Sequence, residues 1–196
     1  MLFLFRDNYK SIAELSAKEL RLGGLRIDPK TNIGSRVTYY NNVKIRNLKN
    51  QKSEITQVKG LPKNPKLSNI SWSPDQKRIA LTNTTETGVE LWVLELENGS
   101  VTKLTESNLN SNIGSVINWF SDSENMLVKM ISNNRRPLID TNKIVPDGPT
   151  ISTNFGEKAQ NRTYQDLLKN KFDEHNFEQL STCLLYTSDA ADDGSR

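Results

Sequence analysis

Three arginines carry the clearest binding chemistry in the sequence. Arg135 and Arg136 sit side by side in the proline-bearing stretch NNRRPLIDTNKIVPDGPT, and Arg162 opens the stretch NRTYQDLLKNKFDEHNFEQL. A guanidinium presents a rigid fork of donors that grips a carboxylate at two points. Arg162, Arg135 and Arg136 are therefore the candidate binding residues. The competing reading leaves them solvated, or pairs them with Asp166, Asp173 or Glu174. His175 lies beside Asp173 and Glu174 in an acidic segment. It reads as a surface histidine, because no nucleophile is available to it.

The catalytic inventory is otherwise thin. No G-x-S-x-G run exists, and Gly34-Ser35 and Gly114-Ser115 both lack the downstream glycine. No catalytic residue is assigned. One cysteine permits no internal disulfide, and with a single histidine no Cys/His set has metal-ligand spacing. No metal and no cofactor are expected. The net charge of +3 is mild and the basic residues are scattered, which argues against nucleic acid as a partner. No apolar run is long enough to insert in a membrane. The opening MLFLF meets Arg6 and Asp7 at once. It reads as a buried strand rather than a signal-peptide core.

The elements that must position these residues read as mostly β. With 35% hydrophobic and 25% charged residues, the chain has a globular composition on the polar side. Ile12, Leu15, Leu20 and Leu22 suit a helical turn or two, stopped by Gly23-Gly24. Residues 35–60 alternate, with Val43, Ile45 and Leu48 near one face, as antiparallel strands with one wet face do. Four strands follow at 69–73, 78–82, 88–96 and 100–105, the last two joined by a tight turn at Asn98-Gly99. Residues 132–160 read as a long loop, and 161–180 as helical, capped by Asn161 or Thr163.

One pattern recurs. ISWSPDQKRIAL at 70–81 matches INWFSDSENMLV at 117–128, an offset that pairs Ile70 with Ile117, Trp72 with Trp119, Asp75 with Asp122, Ile79 with Met126 and Leu81 with Val128. Repeats of ~40–50 residues with four short strands each are the mark of a β-propeller. A lone blade cannot bury both faces and needs a neighbour on each side. Trp72, Trp92 and Trp119 read as core, and Asp75 and Asp122 as Asx-turn formers. The fold expected is all-β: an incomplete β-propeller of about three four-stranded blades, with a helical insertion near 161–180 that sits on one rim.

WSPDQKRIALT followed by ELWVLELENG resembles a blade of the prolyl oligopeptidase family of serine peptidases. The stretches SIAELSAKELRLGGLRIDPKTNIGSRVTYY, VPDGPT and NRTYQDLLKNKFDEHNFEQL resemble its glutamyl endopeptidase branch, from residue 1 to about 182. The resemblance implies an N-terminal propeller joined to a C-terminal α/β-hydrolase domain that holds the Ser, Asp and His. It implies a peptide substrate, cleavage after Glu, and a periplasmic or secreted location if the source is bacterial. A seven-bladed ring at ~45 residues per blade needs ~315 residues, so only its first part is expected here, without activity of its own. The alternative is a propeller-only periplasmic binding or scaffold protein. No oligomeric state is implied.

The end of the chain reads differently. CLLYTSDAADD, residues 183–193, is what a widely used transposase library adapter encodes in one frame. The domain expected is therefore 1–182, with 183–196 a non-native, disordered tail. The competing reading is a natural disordered acidic tail.

Overall fold

The computed structural model describes residues 1–7, 9–48, 54–140, 143–145, 148, 155–156 and 166–189. In chain order the elements are β1 (Leu2–Phe5), α1 (Ile12–Leu15), β2 (Leu20–Leu22), β3 (Leu25–Asp28), β4 (Ile33–Gly34), β5 (Asn42–Ile45), β6 (Thr56–Gln57), β7 (Leu67–Trp72), β8 (Arg78–Thr84), β9 (Val89–Glu95), β10 (Ser100–Lys103), β11 (Ile117–Trp119), β12 (Asn125–Ile131), α2 (Lys171–Ser181) and β13 (Cys183–Asp189). The chain is mostly strand, in antiparallel sheets ordered β1-β5-β6, β2-β3-β4, β10-β9-β8-β7 and β11-β12-β13.

The sheet β7–β10 is central because its strands are apolar on both faces. Along β8, Ile79 and Leu81 enter one core cluster while Ala80 between them enters another. Along β9, Val89, Leu91 and Val93 face the second cluster, and Trp92 and Leu94 the first. Side chains alternate across a strand, so the two clusters lie on opposite faces. The first is completed by Leu2, Val43 and Ile45 of the β1-β5-β6 sheet. The second is completed by Ile117, Met126 and Val128 of the β11-β12-β13 sheet, together with Ile33 and Leu109. The central sheet is thus covered on both sides, which is why its inner strands β8 and β9 are buried along most of their length.

The repeat seen in the sequence is a repeat in geometry. Trp72 pairs with Ile79 in one hairpin, and Trp119 pairs with Met126 in the other. Gln76 and Ser123 occupy the same turn position, and both have positive φ (60° and 63°). Asp75 Oδ1 accepts from the Lys77 N–H, and Asp122 Oδ1 from the Glu124 N–H. These are the Asx turns expected. Hydroxyl and main-chain donors hold the Asp75 carboxyl below its usual range, and chiefly main-chain donors do so for Asp122. The hairpins also touch: Trp119 Nε1 donates to the Ser71 carbonyl at 3.2 Å, and Arg78 donates to the Ser123 carbonyl at 3.2 Å. Ile70 and Leu81 are not register partners, because the pairing shifts between Ser68 and Ser71, where Asn69 has φ 47°.

Several expectations are corrected. Trp72 is 42% exposed rather than core. It lies beside an open groove with Met1, Ile45 and Leu96. Leu48 is exposed and joins no cluster. Only Ile12–Leu15 are helical in the first region, held by a Ser11–Glu14 capping box. Gly23-Gly24 does not stop that helix but turns the β2–β3 hairpin, with both residues at positive φ (57° and 80°). Among the described residues only the central sheet has four strands.

Helix α2 begins at Lys171, ten residues later than the segment expected. Asn170 is its cap and accepts from the Phe172 and Asp173 N–H groups. Asn161 and Thr163 lie outside the described residues. The tail expected to be disordered is instead a strand over Cys183–Asp189, paired along its length with β12. Leu184, Leu185 and Tyr186 are exposed on it. Main-chain pairing therefore holds it, and such pairing selects little for sequence.

Candidate functional site

Arg135 and Arg136 follow β12, in a segment that α2 clamps from one side. Asn176 on α2 is fully buried, and its amide copies a strand partner. Its Oδ1 accepts from the Ile139 N–H at 2.8 Å, and its Nδ2 donates to the Ile139 carbonyl at 2.8 Å. Gln179 Oε1 accepts from the Arg136 N–H at 2.8 Å. His175 Nε2 lies 3.0 Å from the Pro137 carbonyl, a contact that fixes the loop and involves no nucleophile. On its apolar side α2 sets Phe177 and Leu180 against Leu22, Ile27 and Leu138. A side chain at Gly23 would meet the Phe177 ring at 3.0 Å. Asn110 and Asn112 donate to the Leu180 carbonyl at the helix end, where unpaired carbonyls need donors.

The two arginines of the pair differ in kind. The Arg136 guanidinium lies 3.5 Å from Glu178 Oε2, with both side chains well exposed. It is paired, though with Glu178 and not with the acids expected. Asp173 caps the Lys169 N–H, and Asp166 lies 3.9 Å from Arg26. The Arg135 guanidinium has no carboxylate partner among the described residues, and burial pushes it below the usual arginine range. Arg162 lies outside the described residues, so its place relative to the pair is not given. Neither Arg135 nor Arg136 lines the groove of about 760 Å³ between Arg6, Tyr9, Tyr39 and Lys66.

Sequence reasoning missed the most strongly perturbed acid. Glu19 accepts from Ser35 Oγ at 2.7 Å and lies within 3.4 Å of Arg21, Arg26 and Arg36. The Ser35 hydroxyl, with the arginines, holds its carboxyl at about 2 against an ordinary 4.5. It ties the β2-β3-β4 sheet under α2 and offers no reactive group. A folded-state value below the unfolded one gives stability that is present above pH 4.5 and is lost as pH falls toward 2. Urea midpoints of the native chain are therefore expected to fall across that window more steeply than those of Glu19→Gln. Parallel pH profiles would contradict the assignment. Among the described residues no group of His, Cys, Asp and Glu is placed to hold a metal ion.

No family model matches the chain. Two curated plant proteins do. It is 31% identical over 201 residues to a probable chloroplastic glutamyl endopeptidase of Arabidopsis thaliana, and 27% identical over 197 residues to one of Oryza sativa subsp. japonica, in each case over 94% of the chain. This similarity supports a family-level relationship with glutamyl endopeptidases. The chain spans about a fifth of the length of these relatives. Among solved structures, an acylaminoacyl peptidase of Pyrococcus horikoshii overlaps 54% of the chain and 14% of its own length, at 24% identity and TM-score 0.33. An acylaminoacyl peptidase in complex with Z-Gly-Gly-Phe-chloromethyl ketone overlaps 63% and 17%, at 21% identity and TM-score 0.35.

Proposed function

We propose that the chain is an arc of a β-propeller from a serine peptidase of the prolyl oligopeptidase family, in its glutamyl endopeptidase-like branch. The observation that carries this reading is the similarity to glutamyl endopeptidases along 94% of the chain. The central sheet, covered on both faces by flanking sheets, is the stacking a propeller needs. In this reading the whole protein hydrolyses peptide bonds after Glu, and the propeller restricts and orients the peptide. The nucleophile, its base and its orienting acid belong to a part of the protein outside this chain. Residues 183–193 are translated adapter, and β13 fills a slot that the natural sequence fills after the insertion.

Arg135 is the residue of the pair that suits substrate binding. Its guanidinium is partly desolvated and has no acid against it among the described residues, so a glutamate side chain would complete it. Arg136 already has Glu178, and Arg162 stays with the proposal by its sequence position alone.

The experiment is to read the source gene past the codon for Thr182 and express what it encodes. The expected frame carries a G-x-S-x-G elbow, and its product cleaves Glu-containing peptides. In it Arg135→Gln lowers kcat/KM for Glu substrates by about tenfold or more, while sparing Gln analogues. The 196-residue chain itself is expected to cleave nothing. A frame that closes after further strands with no elbow would favour a scaffold. Hydrolysis by the purified chain, with contaminants excluded, would overturn the division of labour.

A further inference from the structure

Asparagine followed by glycine occurs once in the sequence, at Asn98-Gly99, in the turn between β9 and β10. An asparagine amide can be attacked by the main-chain nitrogen of the next residue. Glycine hinders this least, because it has no side chain beside that nitrogen. The turn supplies more than the pair. Asn98 is exposed, and its Oδ1 accepts from the Ser100 N–H at 2.8 Å and from the Ser100 hydroxyl at 2.6 Å. Both donors point at the oxygen on which negative charge develops when the amide carbon is attacked. Asn110-Ser111 is the contrasting pair. Asn110 is 2% exposed, and its Nδ2, the atom that would leave, is held by the Leu180 and Thr182 carbonyls at 3.0 Å each.

We propose that Asn98 is a site of covalent modification, at which the turn exchanges its side-chain amide for a carboxylate and Ser100 promotes the exchange. The Gly99 nitrogen bonds to Asn98 Cγ and gives its proton to solvent. The bond from Cγ to Nδ2 breaks, and the amide nitrogen takes up a proton and leaves as ammonia. Water then opens the succinimide ring that results. Opening at the side-chain carbonyl gives aspartate. Opening at the main-chain carbonyl gives isoaspartate, whose main chain is one methylene longer. Nothing is oxidised or reduced. The Gly99 N–H is donated to the Glu95 carbonyl at 3.0 Å, so that bond must open first. The Ser100 contacts are local to the turn and survive its opening. Isoaspartate would displace Gly99, whose carbonyl accepts from the Lys59 N–H at 2.8 Å beside β10. The site stands apart from the proposed peptidase role.

The test holds the full 196-residue chain in warm, mildly alkaline buffer and follows each asparagine by peptide mass mapping, with enzymatic methylation to detect isoaspartate. Ser100→Ala removes the hydroxyl and Ser100→Thr keeps one. Circular dichroism verifies that both variants keep their strands. The expected result is aspartate and isoaspartate at position 98, with Asn110 unchanged. Ser100→Ala is expected to convert about threefold to tenfold more slowly, the worth of one hydrogen bond, and Ser100→Thr at the native rate. An Asn98 amide as persistent as that of Asn110 would overturn the proposal. So would conversion seen only after urea unfolds the chain, or Ser100→Ala converting as fast as the native chain.

Discussion

Gly88→Ala is expected to cost about 3 kcal/mol or more of folding stability, a large share of the ~5–15 kcal/mol that a domain has. Gly88 sits between β8 and β9, where its carbonyl accepts from the Thr85 N–H at 2.8 Å. A Cβ there would fall far inside van der Waals contact of the Ser107 carbonyl oxygen. The obstacle is backbone, which cannot rotate aside, and that backbone leads into Leu109, fully buried in the second core cluster. Gly24→Ala is the fitting control. Gly24 has φ 80° and nothing within 4 Å of a Cβ, so alanine there costs about 1–2 kcal/mol of backbone strain alone. Urea denaturation followed by tryptophan fluorescence separates the two. A loss at Gly88 no larger than at Gly24 would show that the close approach does not hold in solution.

Ile79→Ala and Met126→Ala are each expected to cost about 2–5 kcal/mol. Both side chains are fully buried, and they hold matching places opposite Trp72 and Trp119. They fill different clusters, however. Ile79 packs between the first and central sheets, and Met126 between the central and last sheets. Sites with no shared partners add, typically within about 0.5 kcal/mol. The double variant should therefore lose the sum of the two single losses, provided enough stability remains to measure it. A marked shortfall would mean that the two gaps are one core, and the stacked arrangement would be wrong.

The stability of the site rests on packing more than on charge. Helix α2 reaches the arginine segment through Asn176, Gln179 and His175, each on main-chain atoms. Main-chain contacts set the path of the loop. Arg136 is held at a distance typical of an exposed pair worth little. Arg135 differs because partial burial penalises its charge without compensation from a described acid.

The local patterns were legible because local chemistry makes them. Alternation placed β7 to β10 within a few residues. The offset repeat carried turn residues whose conformation depends only on their neighbours, so Asp75 and Asp122 make the same turn. The Ser11–Glu14 capping box is equally local, since its two side chains lie three residues apart. Other features needed the assembled chain. Trp72 and Trp119 occupy equal positions in equal hairpins, yet only one lies against a full sheet. Gly23-Gly24 permits a helix stop or a hairpin, and the partner strand decided for the hairpin. Glu19 is an ordinary glutamate until folding brings Ser35, Arg21, Arg26 and Arg36 around it. Residues 183–189 carry no strand alternation, but a free edge on β12 makes any extended segment a partner. Sequence alone determined the antiparallel strands, the repeat and its turns, since each follows from bonds between near neighbours. Which side chains are buried, and which arginine has no acid against it among the described residues, were decided only in three dimensions. They depend on contacts between residues that are far apart along the chain.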